Sequence, residues 1–320
     1  MNVEFVSMCT AETLRDAALA LKNGHLVAFP TETVYGLGAD AANADAIAQV
    51  YNVKGRPVNH PLIVHIASLD AMGQWASEIP GYAITLARDF WPGPMTLVLK
   101  RSELAADFVT GGQDTVGLRV PAHPIALQLL KEFNNVGGKG IAAPSANKFG
   151  AVSPTTAHAV EEELQVSLSE HDFILDGGPC LVGVESTIID CTGPTPLILR
   201  LGAITPLMIE ESTGLVALEA KGSVIRVSGS LDSHYSPKAR VILDVIAEPG
   251  DGLIAPDQIP TPNGVIRLAA PGTIEEYARV LYHALRSADQ HGLETVVVLQ
   301  PGGDGLAAAI RDRLKRSANG

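Results

Sequence analysis

Cations, hydroxyls and glycines gather in three stretches of this chain. Residues 29–40, FPTETVYGLGAD, leave a short apolar run at Pro30 and then crowd Thr31 and Thr33 against Gly36 and Gly38. The threonines offer donors and acceptors, and the glycines permit close backbone approach. Taken singly, the stretch reads as a tight loop with satisfied hydroxyls. Residues 54–65, KGRPVNHPLIVH, set Lys54 and Arg56 just past an expected helix end. Two cations there could simply complement a helix C-terminus. They could also clamp an anion, because arginine grips phosphate with two parallel donors and lysine supplies a point charge. His65 lies on an apolar run, where a lone histidine is more often a core residue than a ligand. Residues 143–156, APSANKFGAVSPTT, place Ser145, Asn147 and Ser153 between a short apolar run and a helix expected near Thr155. Polar side chains beyond the carboxyl end of a strand are where open α/β sheets bind ligands. The stretch lacks the glycine pattern and lysine of a Walker loop and has no Gly-x-Ser-x-Gly elbow.

Two further arginines, Arg119 in DTVGLRVPAHP and Arg200 in LILRLGAIT, interrupt apolar runs. A buried arginine needs an anionic partner, either a protein carboxylate such as Asp190 or an anionic ligand. Ser186 and Thr187, in GVESTIID, again place hydroxyls at the start of a strand.

Short alternating elements must position these groups. Periodicity predicts helices over 12–23, from the cap Asn43 to Tyr51, over 84–90, 123–133 and 206–211, and one after Ser68. It predicts strands over 26–29, 62–66, 96–99, 116–120, 141–143, 173–175, 187–190 and 197–200. Strands and helices mixed without strict alternation imply an α/β fold around a twisted, mixed sheet. Residues 212–237 are richer in Ser, Gly, Glu and Lys and read as a linker between a first domain, 1–211, and a second, 238–320. In the second, strands over 241–245, 265–268 and 295–299 and helices over 274–288 and 306–315 imply a small, open, Rossmann-like α/β unit.

Composition excludes several classes. The chain has 320 residues, 46% of them apolar and only 18% charged, so extended disorder is not expected. Its net charge is −12, the wrong sign for a protein that grips nucleic acid over a broad face. Cys9, Cys180 and Cys191 form no Cys-x-x-Cys pair, which leaves no zinc or redox motif and fits a reducing compartment. The first twenty residues do not resemble a signal peptide, and no window approaches a membrane span, so a soluble cytoplasmic protein is expected.

Five motifs together resemble a known family. FPTETVYGLGAD, the Lys54-x-Arg56 pair, WPGPMTLVL at 91–99, APSAN at 143–147 and GVEST at 183–187 are similar, in order, to the YrdC-type threonylcarbamoyl-AMP synthases. HYSP at 234–237, followed by a small α/β unit, resembles the long two-domain form. The resemblance implies a YrdC-like domain with a concave, positively charged cavity. It implies a nucleotidyltransferase: L-threonine and bicarbonate (or CO2) form N-carboxy-threonine, whose carboxylate attacks the α-phosphate of ATP and releases pyrophosphate. A partner enzyme would pass the threonylcarbamoyl group to the adenosine beside the anticodon of tRNA; direct tRNA contact is left open. Carried over residue by residue, Lys54 and Arg56 would act on the phosphates beside Ser145 and Asn147. Thr115, Ser153 and Arg200 would bind nucleotide, and Tyr235 would fold over it. Arg119 would pair with the threonine carboxylate, with Thr31, His65 and Ser186 completing that pocket. Mg²⁺ would arrive with ATP, since no carboxylate cage is visible. His60, Lys148, Phe149 and Leu201 depart from the family pattern. A non-enzymatic RNA-binding factor is disfavoured by net charge and by 5% aromatic content. A carbamoyl transferase using carbamoyl phosphate is disfavoured by the linker and HYSP.

Overall fold

The computed structural model describes residues 3–220, 225–229 and 234–320; parts of the expected linker, 221–224 and 230–233, lie outside the described residues. Among the described residues one mixed sheet of twelve strands carries the N-terminal part of the chain. Its centre runs Val27–Phe29, Gly36–Asp40, Ile141–Ala142, Ile63–His65, Thr115–Arg119, Met95–Arg101, Thr187–Asp190 and Leu197–Arg200. Parallel and antiparallel neighbours alternate irregularly: Ile63–His65 is parallel to Thr115–Arg119, which is antiparallel to Met95–Arg101. Both faces are covered. The helices Ala11–Lys22 and Pro124–Asn135 bury Leu14, Leu21, Leu129 and Phe133 on one face, with Phe29 and Leu175. The helices Ala44–Lys54 and Gly81–Phe90 bury Ile47, Val50 and Leu86 on the other, with Leu37, Leu97 and Leu118.

Helix ends follow from local chemistry. Thr10 and Thr13 exchange side-chain and backbone bonds around the first helix start. Asn43 Oδ1 accepts from the amides of Asp45 and Ala46. That second helix does not stop at Tyr51; it continues to Lys54 and ends on Gly55 in a left-handed cap, φ 64°. Lys54 therefore occupies the last turn, not the loop beyond it. Ser68 precedes a short 3₁₀ turn but makes no side-chain cap bond.

The stretch read as a loop, 29–40, is half strand. Gly36–Asp40 pairs antiparallel with Val27–Phe29, register Val27 to Gly38. Glycine-rich strands carry little side-chain signal. Gly38 is required here because a Cβ at that position would lie 2.7 Å from Ile141 Cγ2 and 2.8 Å from Phe29 Cε1. Gly38→Ala should therefore destabilise the protein by about 1–3 kcal/mol through overpacking, read as a fall in the urea midpoint; an unchanged midpoint would show that the strands can part.

The helix Pro206–Thr213 and the strand Leu218–Glu219, which runs parallel to Leu197–Ile198, extend this unit beyond residue 211. The second unit is a four-stranded parallel sheet ordered Arg240–Leu243, Thr295–Val298, Gly252–Ile254, Ile266–Ala269. The helices Ile274–Gln290 and Leu306–Ala318 share a core with Val296, Val298 and Ile254, and that core extends to Val34, Val152 and Val184 of the first unit. Gly252–Ile254 was not expected as a strand; three residues are too few to show a period.

Candidate active site

The strands end on one concave cavity, about 550 Å³ counted to its open mouth. The sheet explains the convergence. His65 and Arg119 are register partners on adjacent parallel strands. Gly36 and Ser145 meet at an isolated bridge, which brings the first and third motifs together. Ser186 precedes the strand that pairs with Arg200. Of the residues singled out from sequence, Thr31, Arg56, His65, Arg119, Ser145, Ser186, Arg200 and Tyr235 line this cavity.

The three arginines are nearly buried and differently held. Arg119 donates through Nη2 to Glu32 Oε1 at 2.6 Å and through Nε to the Gly93 carbonyl at 3.3 Å. Glu32 is fixed in turn by the Ala122 amide at 2.9 Å. Asp190 is not an arginine partner; its carboxylate closes a turn with Thr192. Arg200 grips Ser186 O at 2.9–3.1 Å and Ser228 O at 2.8 Å. Arg56 donates to Pro61 O and Ser228 Oγ, and its buried Nε has no partner among the described residues. Neither Arg56 nor Arg200 forms an ion pair with a carboxylate among the described residues. Burial lowers the pKa of both, that of Arg56 to about 10. Burial, then Arg119, lowers His65 to about 3, so its ring is neutral, and its Nδ1 is buried without a partner. Thr31 Oγ1 is engaged in its own turn, bonded to Thr33 and Val34.

Four expected site residues stand behind or beside the lining. Lys54 Nζ donates to the carbonyls of Ser145, at 2.7 Å, and Asn147. Burial and Arg56 hold its ammonium pKa well below the usual lysine range. Asn147 Nδ2 bonds Lys148 O and Ala151 O, which shapes the loop from within. Ser153 Oγ donates to Glu185 Oε1 at 2.7 Å. Thr115 lines an adjoining shallow cleft, about 310 Å³ counted out into its open mouth, walled by Leu62, Ile63, Val98, Ile188 and Val227.

Sequence reading missed both carboxylates at the site, Glu32 and Glu185, although each sits inside a quoted motif. The signal was available: buried arginines demand acids, and PTET and GVEST supply them. Also missed were His234 and two groups from the second unit, Tyr282 and Arg313. Tyr235 adopts φ 63° and stacks on Tyr282 at 5.5 Å. Arg313 lies 5.4 Å from the Tyr235 ring, and Ser317 Oγ donates to Tyr235 O at 2.8 Å. Gly229, at φ 78°, passes so close that a Cβ there would lie 2.2 Å from the Tyr235 hydroxyl. Two departures from the family pattern explain each other: Phe149 meets His60 edge-on at 5.5 Å and His234 at 6.2 Å, beneath the Arg56 guanidinium. Lys148 is spent on Val53 O and Ser167 Oγ.

Comparison with known proteins agrees with this arrangement. The Sua5/YciO/YrdC family model, described as telomere recombination, matches residues 19–202. A model described as the C-terminal domain of threonylcarbamoyl-AMP synthase matches residues 204–319. A threonylcarbamoyl-AMP synthase of Pyrococcus abyssi is 40% identical over 325 aligned residues, 95% of this chain and 94% of its own. One from Bacillus subtilis is 36% identical over 96% of this chain and 93% of its own. The crystal structure of P. abyssi Sua5 complexed with L-threonine superposes with a TM-score of 0.88 at 37% identity, covering 99% of this chain and 97% of that one. In sequence, overall fold and second domain alike, this chain belongs to the Sua5/YrdC-type threonylcarbamoyl-AMP synthase family, in its two-domain form.

Proposed function

We propose that the protein is an L-threonylcarbamoyladenylate synthase, a nucleotidyltransferase that makes threonylcarbamoyl-AMP and pyrophosphate from L-threonine, bicarbonate or CO2, and ATP. The observation that carries this reading is the convergence of Arg56, Arg119 and Arg200 on one cavity with, among the described residues, a single protein carboxylate ion-paired to any of them. Buried cations in that number call for an anionic ligand. The relatives' name and the threonine bound to P. abyssi Sua5 supply its chemical class.

In this reading the threonine amine bonds to the carbon of CO2 and loses a proton. The resulting carbamate oxygen attacks the α-phosphorus, and the bond to pyrophosphate breaks. Arg119 binds the amino-acid carboxylate: Glu32 occupies one arm of its fork and leaves Nη1 without a protein partner among the described residues. Thr31, neutral His65 and Ser186 enclose the rest of the amino acid. Arg56 and Arg200 neutralise the phosphates, with Ser145 beside them. Lys54 serves the same loop from behind by fixing the Ser145 and Asn147 carbonyls, as do Asn147 and Ser153 through their own bonds. The base and ribose lie towards the open cleft at Thr115. Catalysis is then positioning and charge neutralisation, with no general base required of the protein.

Mg²⁺ is expected as the ion that accompanies ATP. The protein has little to hold it with: Glu32 and Glu185 are committed to arginines, and the described residues include no metal-binding cluster of histidine, cysteine or acid side chains. Its ligands would be phosphate oxygens and water. The second domain would hold Tyr235 over the cavity through Ser317 and Tyr282. The product would pass to a tRNA threonylcarbamoyl transferase in the cytoplasm. The three cysteines are free, and no helix of the described residues is long and apolar enough to cross a membrane.

Pyrophosphate should be released only when ATP, L-threonine and bicarbonate are all present, with a product whose mass is that of threonylcarbamoyl-AMP. Turnover indifferent to threonine would exclude the reading.

A further inference from the structure

Glu185 is an odd residue to find on the wall of a cavity built for anions. It lines the same space as Arg56 and Arg200 and is 7% exposed. Its charge is consumed from behind. Ser153 donates to Oε1, while Tyr282 and Arg313 donate to Oε2 at 2.8 and 2.9 Å. Arg313 is fully buried; its Nη2 donates to Leu201 O at 2.8 Å and its Nη1 to Asp312 Oδ2 at 2.6 Å, an acid that Arg316 also pairs and would still hold without Arg313. Tyr282 and Arg313 both come from helices of the second domain, Ile274–Gln290 and Leu306–Ala318.

We infer that Arg313 and Tyr282 are positioning residues for nucleotide binding: the second domain cancels the Glu185 carboxylate, which would otherwise face the triphosphate as an unpaired charge. This rests on the reading of the cavity as an ATP site. Removing one partner of a buried pair leaves the other uncompensated, and on a wall of buried side chains that charge is felt by the ligand. Arg313 also lies against Tyr235, so one guanidinium serves both the wall of the cavity and the residue above it. The low pKa of Glu185, about 2, agrees with this partnership: burial opposes the charge, and Arg313 leads the groups that restore it.

The test measures binding of a non-hydrolysable ATP analogue and of threonine to the full-length chain by calorimetry. Arg313→Met should weaken the analogue at least tenfold and leave threonine within about threefold. The double variant Arg313→Met/Glu185→Gln should return the analogue to within about threefold of wild type, because the charge needing cancellation is gone. Loss of a purely structural clamp would not be repaired by Glu185→Gln. Should Arg313→Met fail to fold, Tyr282→Phe removes one donor at nearly constant volume; it should weaken the analogue a few-fold, and Glu185→Gln should again erase the loss. Normal analogue binding in the single variants, or a double variant as weak as its parent, overturns the inference alone. If the wild type binds threonine but no ATP analogue, the functional reading falls and the inference with it.

Discussion

Replacing Arg119 with alanine is expected to lower kcat/KM for threonine by at least about a hundredfold, close to 3 kcal/mol of transition-state stabilisation. The loss should fall chiefly on threonine KM, with ATP KM changed by less than about threefold. The reason is division of labour in one fork. Glu32 holds Nη2 at 2.6 Å and Gly93 holds Nε, so the remaining face of the guanidinium, on the proposed reading, is the one that meets an incoming carboxylate with a charge-assisted bond. Lysine should recover little, because a point charge cannot satisfy Glu32 and a ligand in that planar geometry at once. Alanine also strands Glu32, 5% exposed, without its cation, and breaking such a pair costs about 3–5 kcal/mol of stability. Circular dichroism and a denaturant midpoint must therefore accompany the kinetics, and Arg119→Ala/Glu32→Gln should recover stability without recovering threonine affinity. Threonine kinetics near normal in a folded Arg119→Ala protein would remove Arg119 from the amino-acid pocket.

The second large effect is on stability against acid. His65 and His234 are 4% and 6% exposed, and burial lowers each to a pKa of about 3. In the unfolded chain each returns to about 6.5. The unfolded state thus binds protons that the folded state refuses, and stability falls as pH drops from about 6.5 towards 3. At pH 5 the loss is about 2 kcal/mol for each ring, or about 4 in all, a large part of a typical domain's stability. His60 and His123, also lowered by burial, act in the same direction. Glu185, lowered to about 2, adds nothing above pH 5; its contribution is intact above the ordinary glutamate value and is lost as pH falls from there towards 2. Urea midpoints measured from pH 7.5 to 5 should show the slope, and His65→Gln should flatten it by about 2 kcal/mol. An unaltered slope in that variant would mean that His65 titrates normally in the folded protein.

Much of this was legible in the sequence where a local rule applies. Asn43 announced its helix, and the apolar periods placed the central strands, because caps and periodicity act over a few residues. The site's cations and hydroxyls were legible as types. Their partners were not, because pairing is set by the sheet: Glu32 finds Arg119 across 87 positions, and Glu185 finds Arg313 across 128. Lys54 shows the same limit. Its charge suggested direct contact with an anion, yet one extra helical turn aims its ammonium at two carbonyls of the loop it was expected to work beside. Gly36–Asp40 and Gly252–Ile254 escaped because glycine and brevity both erase the alternation that marks a strand. His60 and Phe149 looked like independent departures from a family pattern and proved to be one contact.

The order of the strands also governs how this protein emerges during its synthesis. The first strand, Glu4–Val6, finds its partner only in Phe173–Leu175, and the buried Leu26 amide is bonded by Asp172. At ordinary elongation rates the early segments wait roughly ten to thirty seconds for those residues to leave the ribosome. Through that interval the apolar run around Phe29 has no parallel neighbour on one side, and its exposed edge is open to pairing with other nascent chains. Yield on expression should therefore depend on translation speed and chaperone supply across the first half of the message more than on the finished protein's stability.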